Sequence, residues 1–200
     1  MLMRINLSTG KISEEEIKPE ILENFIGGRG LGVKMIFDEV DPNVDPLSEK
    51  NKLIFAVGPL TGTAAPTSGR YEVVFKSPLT GTICNSNSGG YFAPMIRKLG
   101  YHAIVIEGKS KDPVYVWGEN GKVEIRDASK IWGKNTEETT RNLLKETSKN
   151  AKVACIGPAG ERLVKMAAII NDEHRAAGRG GPGAVMGSKN LKALVLLGEK

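Results

Sequence analysis

Apolar and polar residues alternate over the first sixteen positions, LMRINL and KISEEEI being separated by STG, a pattern that predicts a β-hairpin closed at Gly10. Pro19 opens a helical spacing through Ile21, Leu22 and Phe25 that stops at Gly27, and a second helix is expected from Leu31 to Glu39. DPNVDPLSEKN reads as a loop. From Lys52 the texture changes to short strand-like runs, KLIFAV, RYEVVF, HAIVIEG, VYVWG and KVEIRD, each bounded by Gly, Pro, Asn or Asp. GENG at 118–121 joins the last two as a hairpin. YFAPMIRKLG offers a short helix ending at Gly100, with Pro94 near its start. Asn135 and Glu138 form a capping-box variant for a helix carrying Leu143 and Leu144. Strands are then expected at KVACIG, LVKMAAII and LKALVLLG.

The pattern echoes itself. KLIFAVGP at 52–59 returns as KVACIGP at 152–158, and SGGYFAPMIRKLGYHAIVIEG at 88–108 parallels RGGPGAVMGSKNLKALVLLGE at 179–199. In both, an apolar strand runs into Gly-Pro, and a Gly-Gly turn leads to a short helix and a closing strand. Self-similarity of this kind predicts a duplicated unit, with repeats at about 50–110 and 150–200 inside a single domain, residues 1–200. It would set two Gly-rich loops in equivalent places.

Composition narrows what those loops do. With 200 residues, 40% hydrophobic and 26% charged, the chain has the makings of one globular domain or two small ones. The net charge of +5, from 28 basic and 23 acidic residues, is scattered; it suits an anionic ligand without the footprint of a nucleic-acid binder. Cys84 and Cys155 stand far apart with no CxxC, so neither a disulfide framework nor a zinc or iron–sulfur site is written in these residues. No apolar run approaches a membrane span, and a cytoplasmic protein is expected.

Glycines in a loop let a ligand approach the main chain and turn several N–H groups toward one anion, although in many loops they only make tight turns. SNSGG and RAAGRGG occupy matching places in the echo, and TSGR brings Arg70 just before a strand. Arginine adds a fixed, planar positive charge suited to phosphate. GGRGLG at 27–32 follows a helix, which argues against a dinucleotide fingerprint. GAVMGSKN fails the Walker A spacing, and no GxSxG elbow accompanies His102 or His174. Trp117 and Trp132 read as packing residues, and EEE as a solvated face.

GPLTGTAAPTSGRYEVVFKSPLTG, NSGGYF, IRDASKIWGK, IGPAGE and NDEHRAAGRGGPGAVMGSKNLKA together resemble the N-terminal domain of the tungsten-containing aldehyde:ferredoxin oxidoreductase family, over essentially the whole chain. The resemblance implies an α+β fold, an α/β/β/α layered pseudo-barrel sandwich of two structural repeats, over which a bis-pterin tungsten cofactor lies. It implies aldehyde oxidation to a carboxylic acid, with electrons passing to ferredoxin through a [4Fe–4S] cluster that the later domains supply. Carried over by position, Arg70 and Arg175 match arginines at the two pterins. Asn87 and Ala176 match main-chain carbonyl ligands of a Mg²⁺ bridging the pterin phosphates, and Gly89, Gly178 and Arg179 fall in the same loops as cofactor contacts. GGRGLG is a weaker candidate for the same surface. No catalytic side chain is assigned, because the cluster cysteines and proton-handling residues of the family belong to later domains. The implied partners are those C-terminal domains, ferredoxin and an aldehyde, with self-association into a homo-oligomer where apolar surface is left uncovered. This chain alone is expected to be inactive. A stand-alone pterin carrier or scaffold is the competing reading.

Overall fold

The computed structural model describes residues 1–198. Twelve strands form two six-stranded sheets among those residues. The first sheet holds β1 (Leu2–Asn6), β2 (Ile12–Glu15), β3 (Leu53–Val57), β4 (Tyr71–Lys76), β5 (Ile83–Ser88) and β6 (Ala103–Glu107), in the order β2-β1-β6-β3-β4-β5. The second holds β7 (Val114–Glu119), β8 (Lys122–Asp127), β9 (Lys152–Cys155), β10 (Ile169–Asn171), β11 (Arg175–Ala177) and β12 (Leu191–Leu197), in the order β11-β10-β9-β12-β7-β8. Read from opposite ends, the two orders are the same. In each sheet the opening hairpin lies parallel to the closing strand, β1 beside β6 and β7 beside β12, and every other ladder is antiparallel.

Strand alternation divides the side chains between three cores. Phe55, Val57, Tyr71, Val73 and Ile104 of the first sheet point inward, as do Ala154, Ile156, Ile169 and Leu194 of the second, forming one central cluster. The outer face of the first sheet is covered by α2 (Gly28–Glu39) through Leu31, Met35 and Ile36. That of the second is covered by α4 (Thr136–Glu146) through Leu143. The result is the expected α/β/β/α order. Two short helices, α3 (Phe92–Lys98) and α6 (Pro182–Ser188), lie in the central cluster, where α3 touches β9 and β12 while α6 touches β3 and β4. Each half thus sends a helix against the other half's sheet. Burying large side chains such as Phe55, Phe75 and Phe92 contributes about 1.5–3 kcal/mol apiece.

Most sequence expectations match these elements. The opening hairpin, α1 (Pro19–Phe25) and the Asn135 cap, whose side chain accepts from Glu138 N at 2.8 Å, are all present. Three readings need correction. The second helix begins at Gly28 and not at Leu31, because Gly30 and Gly32 serve close packing and make no turn: a Cβ at Gly32 would lie 2.5 Å from Val74 Cγ2. LVKMAAII is mostly not a strand. Residues 163–166 form an exposed turn after the short α5 (Pro158–Glu161), Ala167 folds back into the interior, and only Ile169–Asn171 pairs. Polar β5, ICNSNS, carries no apolar alternation and was not expected. The shared strand order also extends beyond the echoing segments, running from β1 to β6 and from β7 to β12. Glu199, the last residue of the second echo, lies outside the described residues.

Candidate functional site

The edge strands β5 and β11, one from each sheet, come together at one end of the molecule. Arg179 N donates to Ser86 Oγ at 2.9 Å across this junction, tying the second Gly-rich turn to β5. Edge strands keep main-chain groups without ladder partners, so this is where carbonyls and amides stay free for a ligand. A cleft of ≈ 600 Å³ opens beside the junction, walled by the 62–70 loop, Gly89–Tyr91, Pro94 and Arg175.

Ladder registers match the two halves residue by residue. Asn87 faces Glu72, which lies next to Ala56 across β3, which in turn faces Ala103. Ala176 faces Ile170, then Cys155, then Ala193. Ala103 and Ala193 hold the same place beside the parallel strands, against Leu2 and Tyr115. Asn87 and Ala176 are therefore equivalent positions of the duplicated unit. The same registers set Asn171 at the place of Val73, an inward core position.

All seven sequence-predicted residues gather at this end. Arg70, Asn87, Arg175, Ala176, Gly178 and Arg179 are exposed and Gly89 is partly so. Arg70 Nη1 donates to Asn87 Oδ1, holding a guanidinium over β5. Arg175 runs along the other turn, where a Cβ on Gly89 would stand 3.5 Å from its Nη1. GGRGLG is elsewhere: it opens α2 behind the Gly58–Pro59 turn and does not line the cleft.

Beneath the two turns lies a buried polar cluster that the sequence reading did not single out. Asn171 Oδ1 accepts from Tyr71 OH at 3.0 Å and from Ser88 Oγ at 2.6 Å, while its Nδ2 donates to Gly89 O and Asp172 Oδ2, both at 2.9 Å. Asp172 Oδ2 also accepts from Tyr91 N at 2.6 Å. Burial, helped by the Asp172 charge, pushes the Tyr71 phenol well above its ordinary range, so it stays a donor. Gly90 passes this carboxylate at φ 104°, where any other residue is strained, and a Cβ there would stand 2.1 Å from Asp172 Oδ2 and displace it. The available signal was the Asn itself, a polar residue ending an apolar strand run.

The donor set points to a phosphorylated ligand. Among the described residues no group of three or more His, Cys, Asp or Glu side chains could hold a metal ion. What the site does present is arginine and free main chain, which suit phosphates and a hard cation.

The family model of the aldehyde ferredoxin oxidoreductase N-terminal domain matches residues 2–198. A tungsten-containing aldehyde ferredoxin oxidoreductase of Pyrococcus furiosus is 59% identical over 199 residues, covering 99% of this chain and 33% of that protein. The enzyme of the same description from Pyrococcus horikoshii is 55% identical over 200 residues, covering 100% and 33%. Among solved structures, a chain of the active-site complex BamBC of benzoyl coenzyme A reductase with 1,5-dienoyl-CoA superposes with a TM-score of 0.97 at 42% identity, covering 100% of this chain and 30% of that one. The chain spans about a third of the length of the relatives it matches. With one fold, one family model end to end and identity above half, the chain belongs to the aldehyde ferredoxin oxidoreductase family, of which it is the N-terminal domain.

Proposed function

We propose that this domain is the platform for a bis-pterin tungsten cofactor in an enzyme that oxidises aldehydes to carboxylic acids. One observation carries the reading: equivalent positions of a duplicated unit, Asn87 and Ala176, sit on adjoining edge strands with Arg70 beside one and Arg175 beside the other. Their main-chain carbonyls would hold a Mg²⁺ between two pterin phosphates, a hard cation that takes oxygen donors. Arg70 and Arg175 would neutralise phosphate or pterin oxygens with charges that no physiological pH removes. Gly89, Gly178 and Arg179 would line the same rim, glycine allowing the backbone to come close and arginine adding charge. The pterin dithiolene sulfurs would carry the tungsten, so this chain need offer that metal no side chain.

When bound, that group supplies two-electron redox chemistry for the conversion of an aldehyde and water into a carboxylic acid, two electrons and two protons. The electrons would leave to ferredoxin, a separate protein, through a [4Fe–4S] cluster held by the part of the enzyme beyond this chain, which spans a third of its relatives' length. This chain's residues would bind and orient the cofactor, with Arg70 and Arg175 beside it and the buried Asn171 cluster beneath. That one platform also superposes on a chain of a benzoyl coenzyme A reductase complex supports assigning substrate choice to other parts of the enzyme.

Elemental and pterin analysis of the full-length protein tests the reading, with Arg70→Ala and Arg175→Ala in parallel. Two pterins per tungsten are expected in the parent, and reduced retention of both in each variant. A parent without tungsten and pterin, or unchanged retention in both variants, refutes it.

A further inference from the structure

The two halves share strand order and register, so the places where they differ in chemistry mark what duplication alone did not require. One such difference lies in the core. At the inward position where the first half has Val73, the second has Asn171, and that amide is 1% exposed. A buried amide costs free energy unless it is paired, and a valine of the sort found opposite would fill the site without that demand. Asn171 nevertheless uses its full capacity: two acceptances at Oδ1 and two donations from Nδ2. Three of the four partners, Tyr71, Ser88 and Gly89, belong to the first half of the chain, and the fourth, Asp172, holds Tyr91 N. The bonds to Ser88 and Gly89, and the relay through Asp172 to Tyr91 N, thus lead from the second half into the Gly89–Tyr91 turn, while the Tyr71 hydroxyl ties the amide to the neighbouring β4.

We propose that Asn171 is a positioning residue that fixes the separation of the two cofactor-binding turns. It rests on the cofactor reading above. Through Gly89 O and Ser88 Oγ it holds the end of β5, one residue beyond Asn87. Through Asp172 it holds the segment leading into Arg175 and Ala176, whose backbone enters the left-handed region at Asp172 and Glu173, φ 47° and 67°. Two carbonyls serving one cation, and two arginines serving two phosphates, work only at one spacing. The amide supplies that spacing from below, out of reach of solvent.

Asn171→Val in the full-length protein tests this, since it installs the residue found at the equivalent position. Hydrogen exchange is followed at the 89–91 amides and, as an internal control, at the β3 amides. Protection at 89–91 is expected to fall about 10-fold, the loss of roughly one hydrogen bond, with β3 unchanged. Tungsten and pterin retained after gel filtration are expected to fall about 10-fold, in line with residues that orient ligands from behind. Unchanged retention overturns the proposal, whether or not exchange at the turn is faster. A parent protein lacking tungsten and pterin overturns the cofactor reading instead, and that is read on the parent alone. Should Asn171→Val not fold, Tyr71→Phe and Ser88→Ala each remove one donor to the amide and keep its volume nearly filled. Both must then loosen the turn and lower retention, and failure of either to do so overturns the proposal.

Discussion

Glu161 and Lys192 form an ion pair sealed from solvent, their side chains 6% and 0% exposed. Lys192 also donates to Lys134 O at 2.8 Å, and Glu161 accepts from Gly133 N at 3.0 Å and 2.9 Å through its two oxygens. The pair therefore joins β12 and α5 to the turn ahead of α4. Replacing Glu161 with Gln keeps the shape and removes the charge, leaving a buried ammonium opposed only by dipoles. Breaking such a pair from one side costs about 3–5 kcal/mol, because the stranded charge keeps its desolvation penalty. For a domain of this size that lowers Tm by about 6–20 °C, at roughly 2–4 °C per kcal/mol. Removing both charges together, as Glu161→Leu with Lys192→Met, leaves no stranded ion and should cost less than either single change. Urea unfolding of the parent, Glu161→Leu, Lys192→Met and the double variant, with Glu161→Gln measured alongside and all followed by far-UV circular dichroism and by tryptophan fluorescence, completes the cycle. A cost below about 1 kcal/mol for Glu161→Gln, or a double variant as unstable as the sum of the singles, would refute the assignment of a desolvated, mutually dependent pair.

Three further outcomes follow from the packing. Gly32→Ala should destabilise by about 1–3 kcal/mol despite a gain of about 1 kcal/mol in helix propensity, since the new methyl overlaps Val74; Val74→Ala in the same chain should recover part of the loss, read by urea midpoints. Lys189, whose ammonium donates to Asn51 O and Gly108 O, is pushed down to about 8 by burial, with Lys52 adding to the shift and Glu107 and Glu49 opposing it. The unfolded chain then holds the extra proton between pH about 8 and 10.5, so this residue makes stability rise with pH across that window, by up to about 3 kcal/mol, and Lys189→Met should flatten the rise in a pH series of unfolding curves. Burial pushes the Cys155 thiol up to about 11, so at pH 8 it should react with a thiol reagent only as the chain unfolds; native-state labelling at the rate of a free thiol would contradict its place against Thr140.

Legibility in the sequence followed the hydrophobic signal. β3, β6 and β12 announce themselves because both faces are buried, and the Asn135 cap because its side chain has one local task. β5 is silent for a physical reason: it borders the site, and ICNSNS spends its alternation on Ser86 and Ser88 inside and Asn87 outside, so nothing marks it as a strand. LVKMAAII misleads the other way, being apolar yet exposed at Leu163, Val164 and Met166, on the loop that precedes β10. Gly30 and Gly32 look like turn residues because sequence shows a missing side chain without showing what occupies its place. Arg70, Asn87, Arg175 and Ala176 are candidates carried over by resemblance, and the fold brings them to one end of the molecule. Asn171 was not, because its role depends on register across two sheets, which no local pattern carries.

A receptor whose halves offer matching atoms from opposite sides selects guests that are themselves doubled. Here β5 and β11 present one backbone position twice, so any molecule that meets both copies alike must carry two like arms joined near the middle. The bis-pterin cofactor proposed for this surface has that shape, two like organic arms meeting at one centre.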